Sequence, residues 1–252
     1  MRFHRFIILA LVLSIAIGAA FTACGKKENP KLRIGTNAEY PPFESQEGGN
    51  YVGVDMDLGR LIAEKLGMDF EIIDMDFDTL IPSLGANKID LAISAITITD
   101  DRRAQVDFTE PYYVANQVII AKQASKLALA KPEDIVKYKV GAQNGTTGQL
   151  YLSENFIDKN LMPKDNLKKY PTNIEAISDL LNGNLDFVII DDSAARGYAK
   201  LRPLDIKLQI DTNENYGIAL PKKGPLNEKI NTALNEIIAS GEMESIIQAH
   251  VK

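Results

Sequence analysis

The stretch "AISAITITDDRRAQVDF", Ala92–Phe108, places an arginine where helix electrostatics disfavour one. Thr99 has the type and position of an N-cap, and Asp100 and Asp101 put two acids into the following first turn. Arg102 then stands at the third helical position. A helix N-terminus carries partial positive charge, so a cation there is unfavourable unless an anion sits beside it. A second charged residue, Asp191, closes the apolar run "FVII". Asp192 can cap the helix that follows, which leaves Asp191 to point inward. One fixed cation, one carboxylate and the hydroxyls of Ser94, Thr97, Thr146 and Thr147 suit an α-amino acid: the cation and backbone N–H groups take its carboxylate, and the acid takes its ammonium. Arg103 competes with Arg102 for the role, and spacing alone does not choose between them.

Other chemistries are poorly supplied. The chain has 2 histidines, of which His4 lies near the N-terminus and His250 near the C-terminus, and a single cysteine, Cys24. Cys–His sites, Ser–His–Asp triads and His-based metal sites therefore lack their residues, and neither a metal nor a cofactor is expected. "GAQNGTTG" has the glycines of a phosphate loop without its lysine; its N–H groups suit a carboxylate equally well. The formal charge is −6, and −8 once Arg2 and Arg5 are removed with the leader, with no basic tract. That balance argues against a nucleic-acid partner.

The leader is legible as such. "MRFHRF" precedes the apolar run "IILALVLSIAIGAAF", which is short of the roughly 20 residues a membrane span requires. It runs through small residues into "FTACG", the pattern of a signal peptide over residues 1–23 with a lipobox-like site before Cys24. Phe21 stands where such boxes usually carry Leu. Cys24 is the expected acylation site and residues 24–30 a polar tether; the alternative is an uncleaved anchor helix.

Beyond residue 30, strand and helix patterns alternate, which predicts an α/β protein with mostly parallel pairing. "DMDLGRLIAEKLGM" reads as an amphipathic helix capped by Asp55, with Leu58, Leu61, Ile62 and Leu66 as its buried stripe. Near the C-terminus, Leu226, Ile230, Leu234, Ile237 and Ile238 mark another such stripe. "LGANKID" at 84–90 is echoed by "LLNGNLD" at 180–186, each a helix end, a turn and an Asp before an apolar strand. Two similar lobes explain the echo. Ligands of open parallel sheets bind beyond the carboxyl ends of strands. The residues there are Asn37 and Tyr40, Phe77, the Ser94–Arg102 stretch, Gln143, Thr146 and Thr147, and Asp191. On sequence alone, Tyr40 and Phe77 read more readily as core than as ligand platforms.

The chain resembles the extracytoplasmic polar amino-acid-binding proteins of ATP-binding-cassette importers across Lys31–Lys252. The resemblance is carried by "IGTNAEYPPFE", "YVGVDMDL", "DFDTLIPSLGANKIDLAISAITITDDRRAQVDFTEPYY", "GAQNGTTG", "LDFVIIDD" and "YGIALPKK". It implies a two-lobed type II periplasmic-binding fold, with lobe 1 over 31–115 and 213–252, lobe 2 over 116–212, two hinge strands, and a ligand held between the lobes. It also implies a monomeric receptor, not an enzyme, held at the membrane by lipid and serving an ABC permease. By register, Arg102 becomes the α-carboxylate clamp with the backbone N–H groups of Thr97 and Thr147. Asp191 becomes the α-ammonium partner, helped by Ser94 and Thr97. Tyr40 and Phe77 become aromatic walls. Asn37, Gln143 and Thr146 face the ligand side chain, and Ala95 belongs to the same ligand-contacting stretch. Asn37 departs from the acid common in binders of basic amino acids, which favours a neutral polar or small ligand; Glu39 is placed to restore the charge. Cyclohexadienyl dehydratases share this fold and are the enzymatic alternative, with Glu154 and Glu175 as the available acids.

Overall fold

The computed structural model describes residues 31–251; the expected leader, Cys24 and tether lie outside them. Lys31–Thr36 (β1) opens the chain with Leu32 and Ile34 fully buried. A small antiparallel meander follows: Glu39–Tyr40 (β2), Glu44–Glu47 (β3) and Asn50–Val52 (β4). The two prolines of "YPPFE" occupy the turn between β2 and β3, where no ladder N–H is needed. Val54–Lys65 (α1) begins after Gly53, without a capping side chain. Asp55, the expected cap, instead sits inside the first turn, is fully buried, and accepts from Ala95 N at 2.7 Å and from the Tyr112 hydroxyl at 2.9 Å. Leu58 and Ile62 of the expected stripe are buried, and Leu61 and Leu66 are partly so.

The first lobe continues with Asp69–Asp74 (β5), Leu80–Gly85 (α2), Leu91–Ala92 (β6), Asp100–Gln105 (α3) and Asp107–Phe108 (β7). Tyr113–Lys122 (β8) then crosses into the second lobe. There follow Val140–Gln143 (β9), Thr147–Leu152 (α4), Leu167–Tyr170 (β10), Asn173–Asn182 (α5), Phe187–Asp191 (β11) and Asp192–Ala199 (α6). Leu204–Tyr216 (β12) returns alongside β8, leading to Ala219–Leu220 (β13), Asn227–Ser240 (α7) and Glu242–His250 (α8). In α7, Ile230, Leu234 and Ile237 are buried as expected, whereas Ile238 is 41% exposed, on the outer side of the stripe.

The fold is two-lobed α/β. One sheet has the order β5-β1-β6-β13-β7 and the other β10-β9-β11-β8-β12. Parallel pairing is confined to three strands in each; the remaining pairs are antiparallel. The sheets are thus more mixed than strand–helix alternation suggests, because β8 runs against the parallel set of its sheet and β13 against that of the other. The echoed motif has a shared structural cause. Asp90 N–H donates to Arg33 O at 2.8 Å, and Asp90 Oδ2 accepts from Arg33 N at 2.9 Å. Asp186 does the same to Lys139, at 2.9 Å both ways. Each Asp pins the chain entering its strand to the start of the neighbouring parallel strand, β6 to β1 and β11 to β9.

Candidate functional site

All eleven positions proposed from the sequence line one cleft between the two lobes. β6 delivers Ser94, Ala95 and Thr97 just past its carboxyl end, and Ala95 is held at φ 47°. A positive φ is costly for a residue with a Cβ. The bond from Ala95 N to the buried Asp55 carboxyl holds it there. Thr99 caps α3 as expected, accepting from Arg102 N at 3.2 Å. The structure decides between the two arginines. Arg102 is buried, while Arg103 is exposed and lies over the Phe108 ring. Arg102 donates from Nη1 to Thr97 O at 2.7 Å and from Nη2 to Gly145 O, across the cleft, at 3.0 Å; its Cζ lies 5.5 Å from the centre of the Phe77 ring. Burial pulls its pKa down and the carboxylates of Glu214 and Asp191 push it back up, and a guanidinium stays charged in any case.

Asp191 holds the N-cap position of α6 but makes no side-chain cap bond there; Asp192, the first helical residue, accepts from Ser193 N at 2.9 Å. Asp191 turns into the cleft, where it accepts from Gln117 Nε2 and from the Tyr216 hydroxyl. Burial, then the neighbouring Glu214, raise its pKa to about 7. A ligand ammonium and a proton compete for this carboxylate. Affinity for a zwitterion should therefore be highest at about pH 8, where Asp191 is ionised and the ligand ammonium still protonated, and fall by up to about tenfold per unit below about pH 7. Titration calorimetry across that range, in buffers of different ionisation enthalpy, should also show proton release on binding; a flat profile between pH 5 and 8 would exclude the competition.

Some neighbours were not anticipated. Glu44, buried under the cleft, accepts from the Ser94 hydroxyl at 2.8 Å, and Ser94 Oγ accepts from Asn37 N at 3.0 Å. Burial and the adjacent Asp55 hold the Glu44 carboxyl well above the usual range. Glu214, on β12, accepts from Thr97 Oγ1 at 2.8 Å and Thr147 Oγ1 at 2.5 Å through one oxygen, and from Gln117 Nε2 at 3.1 Å through the other. A single carboxylate on a crossing strand thus grips one threonine from each lobe, leaving their backbone N–H groups to the ligand side. Glu214→Ala should weaken ligand binding about tenfold, chiefly through faster dissociation in stopped-flow traces; an unchanged rate would deny it that role. Glu39 does not restore the charge lost at Asn37. It is not among the residues that line the cleft, and its side chain bonds to Thr172. Thr146 caps α4, accepting from Gln149 N at 3.2 Å.

The lobes meet at further points. Tyr198 donates to Glu39 O, Asn144 Nδ2 donates to Asp78 Oδ2, and Gln143 Nε2 donates to Asn37 Oδ1 at 2.9 Å. This geometry encloses the cleft and presents opposite charges on its two sides.

Residues 32–252 match the model of the bacterial extracellular solute-binding proteins, family 3. The chain belongs to this family. Among relatives, the arginine-binding extracellular protein ArtP of Bacillus subtilis is 34% identical over 250 residues, covering 94% of this chain and 95% of the relative. The arginine-, lysine-, histidine-binding protein ArtJ of Geobacillus stearothermophilus superposes with a TM-score of 0.79 at 36% identity, over 87% of this chain and 94% of that one. An ancestral arginine-binding protein bound to glutamine gives 0.79 at 37% identity, over 87% and 96%. This solute-binding protein shares their two-lobed α/β fold. Among the described residues, no group of His, Cys, Asp and Glu is arranged to hold a metal, and no helix is long and apolar enough to cross a membrane.

Proposed function

We propose that this chain captures an α-amino acid outside the cytoplasm and delivers it to an ABC permease. The observation that carries this reading is the pairing of buried Arg102 with buried Asp191 across one cleft. The first suits an α-carboxylate, together with the N–H groups of Thr97 and Thr147, and the second an α-ammonium. Tyr40 and Phe77 wall the ligand. We take the lobes as 31–115 with 213–252 and 116–212, and the protein as a monomer tethered through acylated Cys24. Glu154 and Glu175, the acids a dehydratase would need, are both exposed and outside the cleft lining, which favours a receptor over an enzyme.

Two readings of the side chain have support. The relatives named for arginine, lysine and histidine favour a basic amino acid. Asn37 and Gln143, both uncharged, favour a neutral polar one, and the ancestral relative bound to glutamine shows that a similar protein takes such a ligand. Mass spectrometry of small molecules released on denaturing the purified protein, with calorimetry against the twenty amino acids, tests the function. An amino acid is expected. No amino acid released and none bound by ligand-stripped protein would end the proposal.

A further inference from the structure

Three uncharged amides, each at most 7% exposed, form a chain at one wall of the cleft: Asn37 from the first lobe, Gln143 and Asn173 from the second. Asn173 is the first residue of α5, just after the N-cap Thr172, whose hydroxyl accepts from Glu175 N. The orientation of all three amides follows from one fixed point. Pro171 O is a carbonyl and can only accept, so the Gln143 group facing it at 3.0 Å must be its NH2. The other Gln143 hydrogen then goes to Asn37 at 2.9 Å, which must present Oδ1. Gln143 Oε1 accepts from Asn173 at 2.6 Å, which must present Nδ2.

Gln143 is thereby held in one orientation: both hydrogens are donated and its oxygen accepts from Asn173. The groups the chain leaves unused include the Asn37 NH2, a donor, and Asn173 Oδ1, an acceptor. A guanidinium or ammonium offers only donors. It would oppose the Asn37 NH2 and leave that donor without an acceptor. A carboxamide complements both groups, its oxygen accepting from Asn37 and its NH2 donating to Asn173. We infer that the preferred ligand is an α-amino acid whose side chain ends in a carboxamide, and that Asn173 determines this preference by fixing the orientation of Gln143. The inference rests on the amino-acid reading above.

The test is calorimetry of ligand-stripped protein with L-glutamine, L-asparagine, L-arginine, L-lysine, L-histidine and L-alanine. Glutamine or asparagine should bind at least about tenfold more tightly than any of the others. Asn37→Asp should move the preference towards arginine by at least about a hundredfold. Asn173→Ala, should the first variant fail to fold, should lower carboxamide affinity about tenfold while changing alanine affinity little. Tighter binding of arginine, lysine, histidine or alanine than of both carboxamides by the unmodified protein would overturn the inference and leave the amino-acid reading standing. Binding of none of the six, nor of any other amino acid, would overturn both.

Discussion

Replacing Arg102 by Met is expected to lower amino-acid affinity by a factor of about a hundred to a few thousand, while Arg103→Met stays within about twofold. The large effect follows from burial. Removing one member of a buried charge pair costs about 3–5 kcal/mol, because the partner charge is left uncompensated. On the proposed reading the partner is the ligand carboxylate, and the remaining hydrogen-bond donors cannot replace a guanidinium fork. Met keeps most of the length and an apolar stem that can lie against the Phe77 ring the guanidinium covers, so the lobe should fold normally. Arg103 lies on the exposed side of α3, its guanidinium over the Phe108 ring. Calorimetry on the two variants, with circular dichroism to confirm folding, separates the cases. Retained binding in the Arg102 variant would mean that the anion sits elsewhere.

The second large effect is expected at a residue that touches no ligand. Gly197 lies in α6 of the second lobe, and a Cβ built on it would fall 2.5 Å from Pro41 O in the first lobe's β2–β3 turn. Real Cβ atoms do not approach backbone oxygen so closely, and neither backbone can yield as a flexible side chain would. Within its own helix the glycine is unfavourable, by roughly 1 kcal/mol against alanine. Gly197→Ala should therefore leave the ligand-free melting temperature unchanged or slightly raised. It should weaken ligand binding by at least about a hundredfold, since a closed state that is penalised by a few kcal/mol takes that penalty from the binding free energy. Small-angle scattering should show the variant failing to compact in ligand concentrations that compact the unmodified protein. Wild-type affinity with normal compaction would show that α6 and the β2–β3 turn need not approach this closely.

How much of this was legible in the sequence depends on range. Helix starts and the buried apolar stripes are local, and Thr99, Thr146 and Thr172 each cap as their types suggest. Strand ends are also local, which is why the cleft residues could be gathered from the carboxyl ends of strands. Spacing did not choose Arg102 over Arg103, because adjacent helical residues differ in face and the pattern does not say which face meets the cleft; only register with the family chose it. Asp55 looked like a cap because an acid near a helix start usually is one; its real partners, Ala95 and Tyr112, are distant in sequence. Glu44 and Glu214 were missed for the same reason. Glu44 follows Phe43 in a proline-rich turn, and Glu214 sits in "DTNENY", where no apolar period marks an inward face. Their partners come from other elements, so only the assembled lobes reveal them. Gln117 did leave a trace, as a polar residue inside the apolar strand β8.

The central claim is that the cleft reads both charges of an α-amino acid. It is tested most directly by calorimetry with the best-binding amino acid beside its N-acetyl and α-carboxamide derivatives, on ligand-stripped protein at about pH 8. The free amino acid should bind in the micromolar range or tighter, and each derivative at least about a hundredfold more weakly, because each leaves one buried charge, Asp191 or Arg102, without its partner. Equal binding by either derivative would contradict the account, because the charge it lacks would then play no part in recognition.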